Sequence, residues 1–144
     1  MFGKDTQIKI WSGIYIPVQD IELGYVLVGD NYILSDFESR EVIETYSATE
    51  KLYRFTLWSG FTINLSESHF LCLKDRFNMN IDFPVSKYIW LDQALKNRFA
   101  MYREKSDFVD YIVDVEELGE QTCYGFKLDG DHRFLNQDYL VLHD

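Results

Sequence analysis

The sequence predicts a mostly β protein with one short helix. Short segments in which apolar and polar residues alternate recur along the chain, and glycine-containing turns separate them. Only one segment has the three- and four-residue apolar spacing of an amphipathic helix. Hydrophobic residues make up 47% of the 144 residues, which is enough apolar material for one ordinary core. We therefore expect one domain over residues 1–144.

The first half of the chain predicts strands joined by tight turns. The expected strands cover residues 7–11, 14–16, 25–28, 40–46, 52–57 and 61–65. The pairs Ser12-Gly13 and Ser59-Gly60 are typical of turns, and residues 29–31 predict another. Residues 19–24 predict a single helical turn that ends at Gly24.

The second half predicts the helix and the remaining strands. The helix is expected over residues 87–98, with Ser86 as its N-cap. Its apolar face carries Tyr88, Leu91 and Leu95. The expected strands cover residues 99–102, 108–115, 123–128 and 139–142.

A faint internal repeat relates the two halves. Residues 53–57 and 124–128 both carry Tyr, Phe and Leu at alternate positions, and His69 and His132 follow them, each shortly before a Phe-Leu pair. Alternating patterns of these residue types also recur by chance in β proteins. The repeat is therefore either a coincidence or a duplicated β subdomain with one histidine in each copy.

Charge and composition argue against several classes of protein. A formal net charge of −10 opposes a nucleic-acid surface, because phosphate binding needs clustered Lys and Arg. No apolar run reaches the ~18 residues of a membrane span, and residues 1–5 lack a secretory signal pattern. We expect a cytoplasmic monomer. Cys72 and Cys123 lack metal-ligand spacing and are expected to be reduced packing residues, with one disulfide as the alternative.

The three histidines are the candidate functional residues: His69, His132 and His143. The last belongs to the pair His143-Asp144, which follows an apolar run that would draw the chain end into the fold. A histidine at such a position can move protons during peptide-bond cleavage. Each also has a structural alternative, as a core histidine, a turn residue or part of a frayed end. A zinc site lacks a short-spaced ligand pair, so neither metal nor cofactor is expected.

Several segments, in order, resemble an intein of the self-splicing Hint class, in the compact form without a homing endonuclease. The N-terminal block is matched by residues 2–8, 12–13 and 17–24. Residues 66–69 resemble the Thr-x-x-His block, and residues 85–103 are similar to a helix-plus-strand segment of eukaryotic and viral members. The C-terminal blocks are matched by residues 124–135 and 141–144. The resemblance implies a horseshoe-like Hint fold with pseudo-twofold β subdomains and both chain ends in one cleft.

The resemblance also implies autocatalytic protein splicing, a single-turnover reaction that needs no cofactor. In such proteins the first residue is Cys or Ser and attacks the preceding carbonyl. By resemblance, His69 protonates the departing nitrogen, and Ser66 binds the scissile region and the developing oxyanion. His132 and His143 then assist as the terminal Asn cyclises. The implied partners are the covalently attached flanking polypeptides.

Two residues depart from the family pattern at the reaction centres. Met1 stands at the nucleophile position, and a thioether has no proton to lose. Asp144 stands in place of the terminal Asn, and its carboxylate would cyclise only through a strained anhydride. The sequence therefore predicts a blocked or severely slowed splicing domain, disabled either by engineering or by natural decay.

Two other functions remain open at this stage. A hedgehog-type domain that cleaves only at its N-terminus would carry Cys at residue 1 and would not need the ending His143-Asp144. In a non-catalytic β-barrel binding module, alanine at His69 or His143 would change stability alone. A nuclease is disfavoured because no internal segment is long enough to hold a DNA-cutting domain.

Overall fold

The computed structural model describes residues 1–29, 38–104 and 108–144, and strands dominate it. The strands are β1 (Phe2–Gly3), β2 (Gln7–Lys9), β3 (Tyr15–Pro17), β4 (Val26–Gly29), β5 (Glu38–Leu57), β6 (Thr62–Ser66), β7 (Phe70–Lys74), β8 (Asn80–Pro84), β9 (Met101–Tyr102), β10 (Val109–Asp110), β11 (Ile112–Leu128), β12 (Arg133–Leu135) and β13 (Val141–His143). Helices α1 (Val85–Tyr88) and α2 (Gln93–Lys96) are accompanied by short 3-10 turns at Val18–Asp20 and Gln137–Tyr139. Of the turn expected at residues 29–31, residues 30 and 31 lie outside the described ranges.

Two long antiparallel strands, β5 and β11, position the rest of the molecule. Their register runs from Leu57 opposite Ile112 to Val42 opposite Leu128. β4 pairs with the beginning of β5 and β6 with its end, while β1 lies between β6 and β11. The sequence predicted separate short strands here, which was wrong. The polar stretches between the predicted strands continue the same ladder as an exposed ribbon.

The pairing of β5 with β11 confirms the pseudo-twofold organisation expected from the internal repeat. Residues 53–57 lie opposite residues 112–117, and residues 124–128 lie opposite residues 42–47. Residues 53–57 therefore pair with the segment that precedes residues 124–128, and residues 124–128 pair with the segment that precedes residues 53–57. A twofold axis between the two strands produces such an exchange.

The helical segment differs from the prediction. Two one-turn helices replace the single helix expected over residues 87–98, and Pro84, not Ser86, precedes α1. Asp92 begins α2 by accepting a hydrogen bond from the N–H of Leu95 at 2.9 Å. An Asp side chain that binds nearby backbone N–H groups favours a new helix start over the middle of a longer helix. The predicted apolar spacing is present, but Leu95 remains 37% exposed.

The core joins the beginning of the chain to its end. Phe2, Phe126 and Phe134 are fully buried, and their ring centroids lie 5.4–6.1 Å apart. Leu140 and Leu142 belong to the same cluster, so the apolar run before the last residues is buried as expected, except for Tyr139, which is 49% exposed. The strand there begins at Val141 because residues 137–139 form a 3-10 turn.

The states of the two cysteines and the lengths of the helices bear on two predictions from the sequence. Cys72 and Cys123 are buried free thiols, as expected of packing residues. In the described part of the chain, no helix is long and apolar enough to cross a membrane.

Candidate functional site

Strand β1 brings the main-chain nitrogen of Met1 to Ser66 and His69. This nitrogen lies 3.0 Å from Oγ of Ser66 and 3.2 Å from Nδ1 of His69. The carbonyl of Met1 accepts a hydrogen bond from the N–H of Ser66 at 3.0 Å. Ser66 thus contacts residue 1 through both its side chain and its main chain.

The turn after β6 holds the Ser66 hydroxyl and the His69 imidazole on the same side. The N–H of His69 donates to the carbonyl of Ser66, and the carbonyl of His69 accepts from the N–H of Val85. The His69 ring packs edge-on against Phe2, with centroids 4.8 Å apart. Both Ser66 and His69 are buried. His69 is therefore a core histidine whose ring nitrogen faces the first residue of the chain.

Burial governs ionisation at this end of the chain. It lowers the pKa of His69 well below 6.5, and the nearby Met1 amino group and His143 lower it further. Burial also lowers the pKa of the Met1 amino group to about 6, although the charges of Glu50, Cys123 and Asp144 act in the opposite direction. Both nitrogens are thus mostly uncharged at neutral pH.

At the other end, hydrogen bonds hold Asp144 in place. Its Oδ2 accepts from the N–H of Leu128 at 2.8 Å and lies 2.9 Å from Nδ1 of His132. Its own N–H donates to the carbonyl of His132 at 2.8 Å. His132 has a left-handed φ of 64°, which suits the turn that follows Gly130. His132 therefore closes the turn and also contacts Asp144.

His143 contacts Asp144 from a second direction. Its Nδ1 lies 3.2 Å from the main-chain oxygen of Asp144 and 3.3 Å from Oδ1. Burial lowers the pKa of His143, but its hydrogen bonds with Asp144 outweigh burial and raise it above 6.5. For Asp144 the signs are reversed. Burial raises the pKa of this carboxyl group, but the hydrogen bonds from His143, Leu128 and His132 outweigh burial and bring the pKa below 3.8.

The two chain ends belong to one cluster. The charge of His143 acts on His69, and the charge of Asp144 acts on the Met1 amino group. Phe70, the neighbour of His69, packs against the His143 ring at 5.6 Å. The residues that the sequence placed in the site thus form two groups, Met1 with Ser66 and His69, and Asp144 with His132 and His143. The contact between Phe70 and His143 joins these groups.

Three further residues at the cluster were not predicted from the sequence. Oγ of Ser68 lies 3.3 Å from Oγ of Ser66 and donates to Oε2 of Glu50 at 2.9 Å. Gly125 of β11 faces Met1, whose Cγ lies 2.9 Å from the point where a Cβ at residue 125 would stand. Of these three residues, only Ser68 has a signal in the sequence, which is its position two residues after Ser66.

The site offers no evident metal centre within residues 1–29, 38–104 and 108–144. Across these ranges, no three His, Cys, Asp or Glu side chains are grouped so as to hold an ion. Asp144 contacts His132 and His143 directly, so Nδ1 of each ring is already engaged with protein atoms.

Solved structures with the same architecture are inteins. The crystal structure of the gp41-1 intein superposes with a TM-score of 0.75 at 20% identity, covering 99% of this chain and 97% of that one. The chain has the fold of the inteins. The same intein fold relates it to a DnaB intein from Synechocystis sp. PCC 6803 (TM-score 0.73, 19% identity, 99% and 97% covered).

A bacterial intein-like domain from Clostridium thermocellum also shares the intein fold, with a TM-score of 0.73 at 18% identity over 99% and 97% of the two chains. No protein-family model matches the sequence, and no curated protein does. The high coverage of both chains confirms the expected mostly β, compact Hint architecture.

Proposed function

We propose that residues 1–144 form one mini-intein domain, which acts by protein splicing on its own flanking polypeptides and whose two reaction centres are both impaired. The observation that carries this proposal is that each chain end lies against histidines: the Met1 nitrogen is near His69, and Asp144 contacts His132 and His143. Phe70, the neighbour of His69, packs against the His143 ring and joins the two groups. Splicing requires cleavage at both ends of a domain and ligation of the flanks, so the two scissile bonds must lie close together. We further propose a cytoplasmic monomer that uses no cofactor.

At the N-terminal junction, the nucleophile of residue 1 attacks the preceding carbonyl carbon. The bond from that carbon to the nitrogen of residue 1 breaks, and the nitrogen takes up a proton. His69 is placed to supply it, because its Nδ1 lies 3.2 Å from this nitrogen. Because His69 is uncharged at neutral pH, it can first take up the proton that the nucleophile loses and then deliver it to the departing nitrogen. Burial disfavours the imidazolium form, so the proton is released readily.

At the C-terminal junction, the side-chain amide nitrogen of a terminal Asn loses a proton and attacks its own main-chain carbonyl carbon. The bond from that carbon to the downstream nitrogen breaks, and the downstream nitrogen takes up a proton. Nδ1 of His143 lies 3.2 Å from the carbonyl oxygen of residue 144, where it can donate to the developing negative charge. The raised pKa of His143 is caused by Asp144 and so belongs to the present chain, not to one that ends in Asn. His132 contacts the side chain of residue 144 and can accept the proton that the amide loses.

Met1 and Asp144 interrupt these two steps. Attack by a thioether sulfur would give a sulfonium instead of a stable acyl intermediate. The lowered pKa of Asp144 keeps its carboxylate ionised at neutral pH, which opposes expulsion of an amine. In the chain as it stands, cleavage at both junctions is expected to be blocked or slow.

The test is a fusion between two unrelated soluble proteins that carries Met1→Cys and Asp144→Asn, with a Cys placed after residue 144. We expect ligated flanks and a released middle fragment, identified by mass spectrometry. Met1→Cys alone should permit only N-terminal cleavage, and Asp144→Asn alone only C-terminal cleavage. His69→Ala in the Met1→Cys fusion should remove the N-terminal reaction.

Other results would favour the other candidate functions. N-terminal cleavage from Met1→Cys without any C-terminal reaction from Asp144→Asn would indicate a hedgehog-type domain. The three hydrogen bonds that position Asp144 favour splicing over that alternative. A folded fusion that gives no cleaved or ligated product would refute the splicing proposal and favour a non-catalytic binding module.

A further inference from the structure

We propose that Glu50 and Ser68 are positioning residues that orient the Ser66 hydroxyl toward the nitrogen of residue 1. The proposal rests on the splicing function proposed above and adds to it a part of the N-terminal step. A continuous chain of hydrogen bonds, here called the relay, joins Oε2 of Glu50 to Oγ of Ser68 at 2.9 Å. From there it runs to Oγ of Ser66 at 3.3 Å and to the Met1 nitrogen at 3.0 Å.

The chemistry of the groups fixes the direction of every bond in the relay. An ionised carboxylate only accepts hydrogen bonds, so the Ser68 hydroxyl donates to Glu50. The Ser68 oxygen is then the acceptor for the Ser66 hydroxyl, whose single proton is used there. Ser66 consequently presents a lone pair, and not a proton, to the Met1 nitrogen.

This direction assigns separate tasks to Ser66 and His69. In a chain with an upstream segment, the nitrogen of residue 1 is an amide with one hydrogen. Ser66 accepts that hydrogen, while Nδ1 of His69 lies 3.2 Å from the same nitrogen. His69 can therefore deliver the second proton as the bond to the upstream carbonyl breaks, without competing for the hydrogen already present.

The charge of Glu50 acts in the same sense. Among the charged groups that act on the Met1 amino group, Glu50 raises its pKa the most. The pKa still lies at about 6, because burial lowers it by more than these charges raise it. A negative charge at this end of the relay favours the positively charged nitrogen that leaves.

Neither residue is needed for the core, so variants at both positions should fold. Ser68 is exposed, and Glu50 is only partly buried in the polar middle of β5. The Cα pairing of Glu50 with Gln121 depends on the backbone and survives a change of side chain.

The experiment uses the Met1→Cys fusion and measures the rate of N-terminal cleavage. Ser68→Ala should slow it about tenfold, because it removes the hydroxyl that links Ser66 to Glu50. Glu50→Gln keeps an acceptor for Ser68 but removes the charge at the end of the relay, and it should also slow cleavage. Ser68→Thr keeps the hydroxyl and should keep the rate. The double variant should be no slower than the slower single variant, since both changes interrupt one chain. Glu44→Gln removes the same charge from an exposed residue of β5 and serves as the matched control.

The rate of C-terminal cleavage in the Asp144→Asn fusion distinguishes loss of the relay from general destabilisation. Destabilisation of the fold would lower this rate, whereas loss of the relay would not. C-terminal cleavage in this fusion should be unchanged by Glu50→Gln or Ser68→Ala. Equal slowing at both junctions, or an unchanged N-terminal rate, would overturn the relay. A Met1→Cys parent that folds but never cleaves would instead refute the proposed function itself.

A measurement independent of splicing separates these two failures. In a chain that begins at Met1, nuclear magnetic resonance of labelled methionine should show the amino group titrating near pH 6. Glu50→Gln should lower this pKa, and Glu44→Gln should leave it unchanged. If the pKa of the Met1 amino group is the same in Glu50→Gln as in the parent, Glu50 is not electrostatically coupled to residue 1. This conclusion does not depend on the cleavage rates of the fusions.

Discussion

His69 and His143 have opposite ionisation behaviour although they lie in one cluster. His69 is buried beside Phe2, and burial depresses its pKa, as do the Met1 amino group and His143. His143 is less enclosed and bonds to Asp144, so its pKa is raised. The surroundings of one residue type thus lower its pKa at one position and raise it at the other.

The pH dependence of stability follows from the contacts of Asp144. Because its pKa lies below 3.8 in the folded chain, Asp144 contributes stability above about pH 4, and this contribution is lost as pH falls through its folded pKa. The raised pKa of His143 adds stability below about pH 6.5, which is lost as pH rises through the folded pKa of His143. The Asp144 contacts therefore contribute most between these limits.

Asp144→Asn should lower the free energy of unfolding by about 1 kcal/mol near pH 5, and the difference from the parent should shrink toward zero in strong acid. Urea unfolding at several pH values measures this. Asp114→Asn, on an exposed part of β11, is the control and should show no such pattern. A difference that is constant with pH would contradict the assigned contacts.

At the level of elements, the sequence located several strands that bury one face, but it missed β7 and β12, whose apolar residues are consecutive instead of alternating. Residues 52–57 and 123–128 alternate because their apolar side chains enter the core. Residues 47–51 and 116–122 carry no such pattern, because the ribbon that they form is largely exposed and no face selects apolar residues. The register of the flanking buried segments sets the pairing within this ribbon. A local sequence pattern does not show this register, because it depends on residues far apart in the chain.

A bulge in the same ribbon depends on one glycine. The register between β5 and β11 shifts between Glu117 and Gly119, and Gly119 has a φ of 80° with no atom near the position of a Cβ. Gly119→Ala should therefore cost about 1–2 kcal/mol through the backbone alone.

Gly119→Asn should recover much of that loss, because Asn tolerates the left-handed region better than Ala does. Thermal or urea unfolding distinguishes the two variants. Equal stability of Gly119→Ala and the parent would mean that the bulge relaxes into a regular ladder at no cost.

The site was predictable where its residues are chemically unusual. Histidines are rare in this chain, and the terminal pair His143-Asp144 follows an apolar run, so those positions drew attention. Glu50 is one of many carboxylates, and Ser68 is a polar residue in a turn. Their proximity to Met1 arises from the register of β1, β5 and β6, which no local pattern encodes.

At the level of the whole molecule, one aromatic cluster holds both chain ends. Phe2 comes from β1, Phe126 from β11 and Phe134 from β12, and all three rings are in contact and fully buried. Phe2 carries Met1 toward Ser66 and His69, while β12 pairs with β13 and so supports His143. The geometry of the site is thus a property of the complete core.

Phe126→Ala should destabilise the fold by about 3–5 kcal/mol, because it leaves a cavity at the centre of this cluster. Phe77→Ala removes the same side chain from a position that is 70% exposed and should change stability by less than about 0.5 kcal/mol. Urea unfolding followed by circular dichroism compares them. Similar losses in the two variants would show that the cluster does not hold the molecule together.

The missing side chain at Gly125 couples the size of the first residue to the strand beneath it. Met1 fills part of the volume where a β-carbon would stand, and the Tyr46 ring fills the remainder. Replacing methionine by the shorter cysteine leaves a void next to the nucleophile, whose thiol could then adopt several rotamers. An alanine at residue 125 could not occupy that void without moving Tyr46, because the position of its Cβ lies 2.5 Å from Cε2 of the Tyr46 ring. Glycine is therefore required at residue 125 whichever residue stands first.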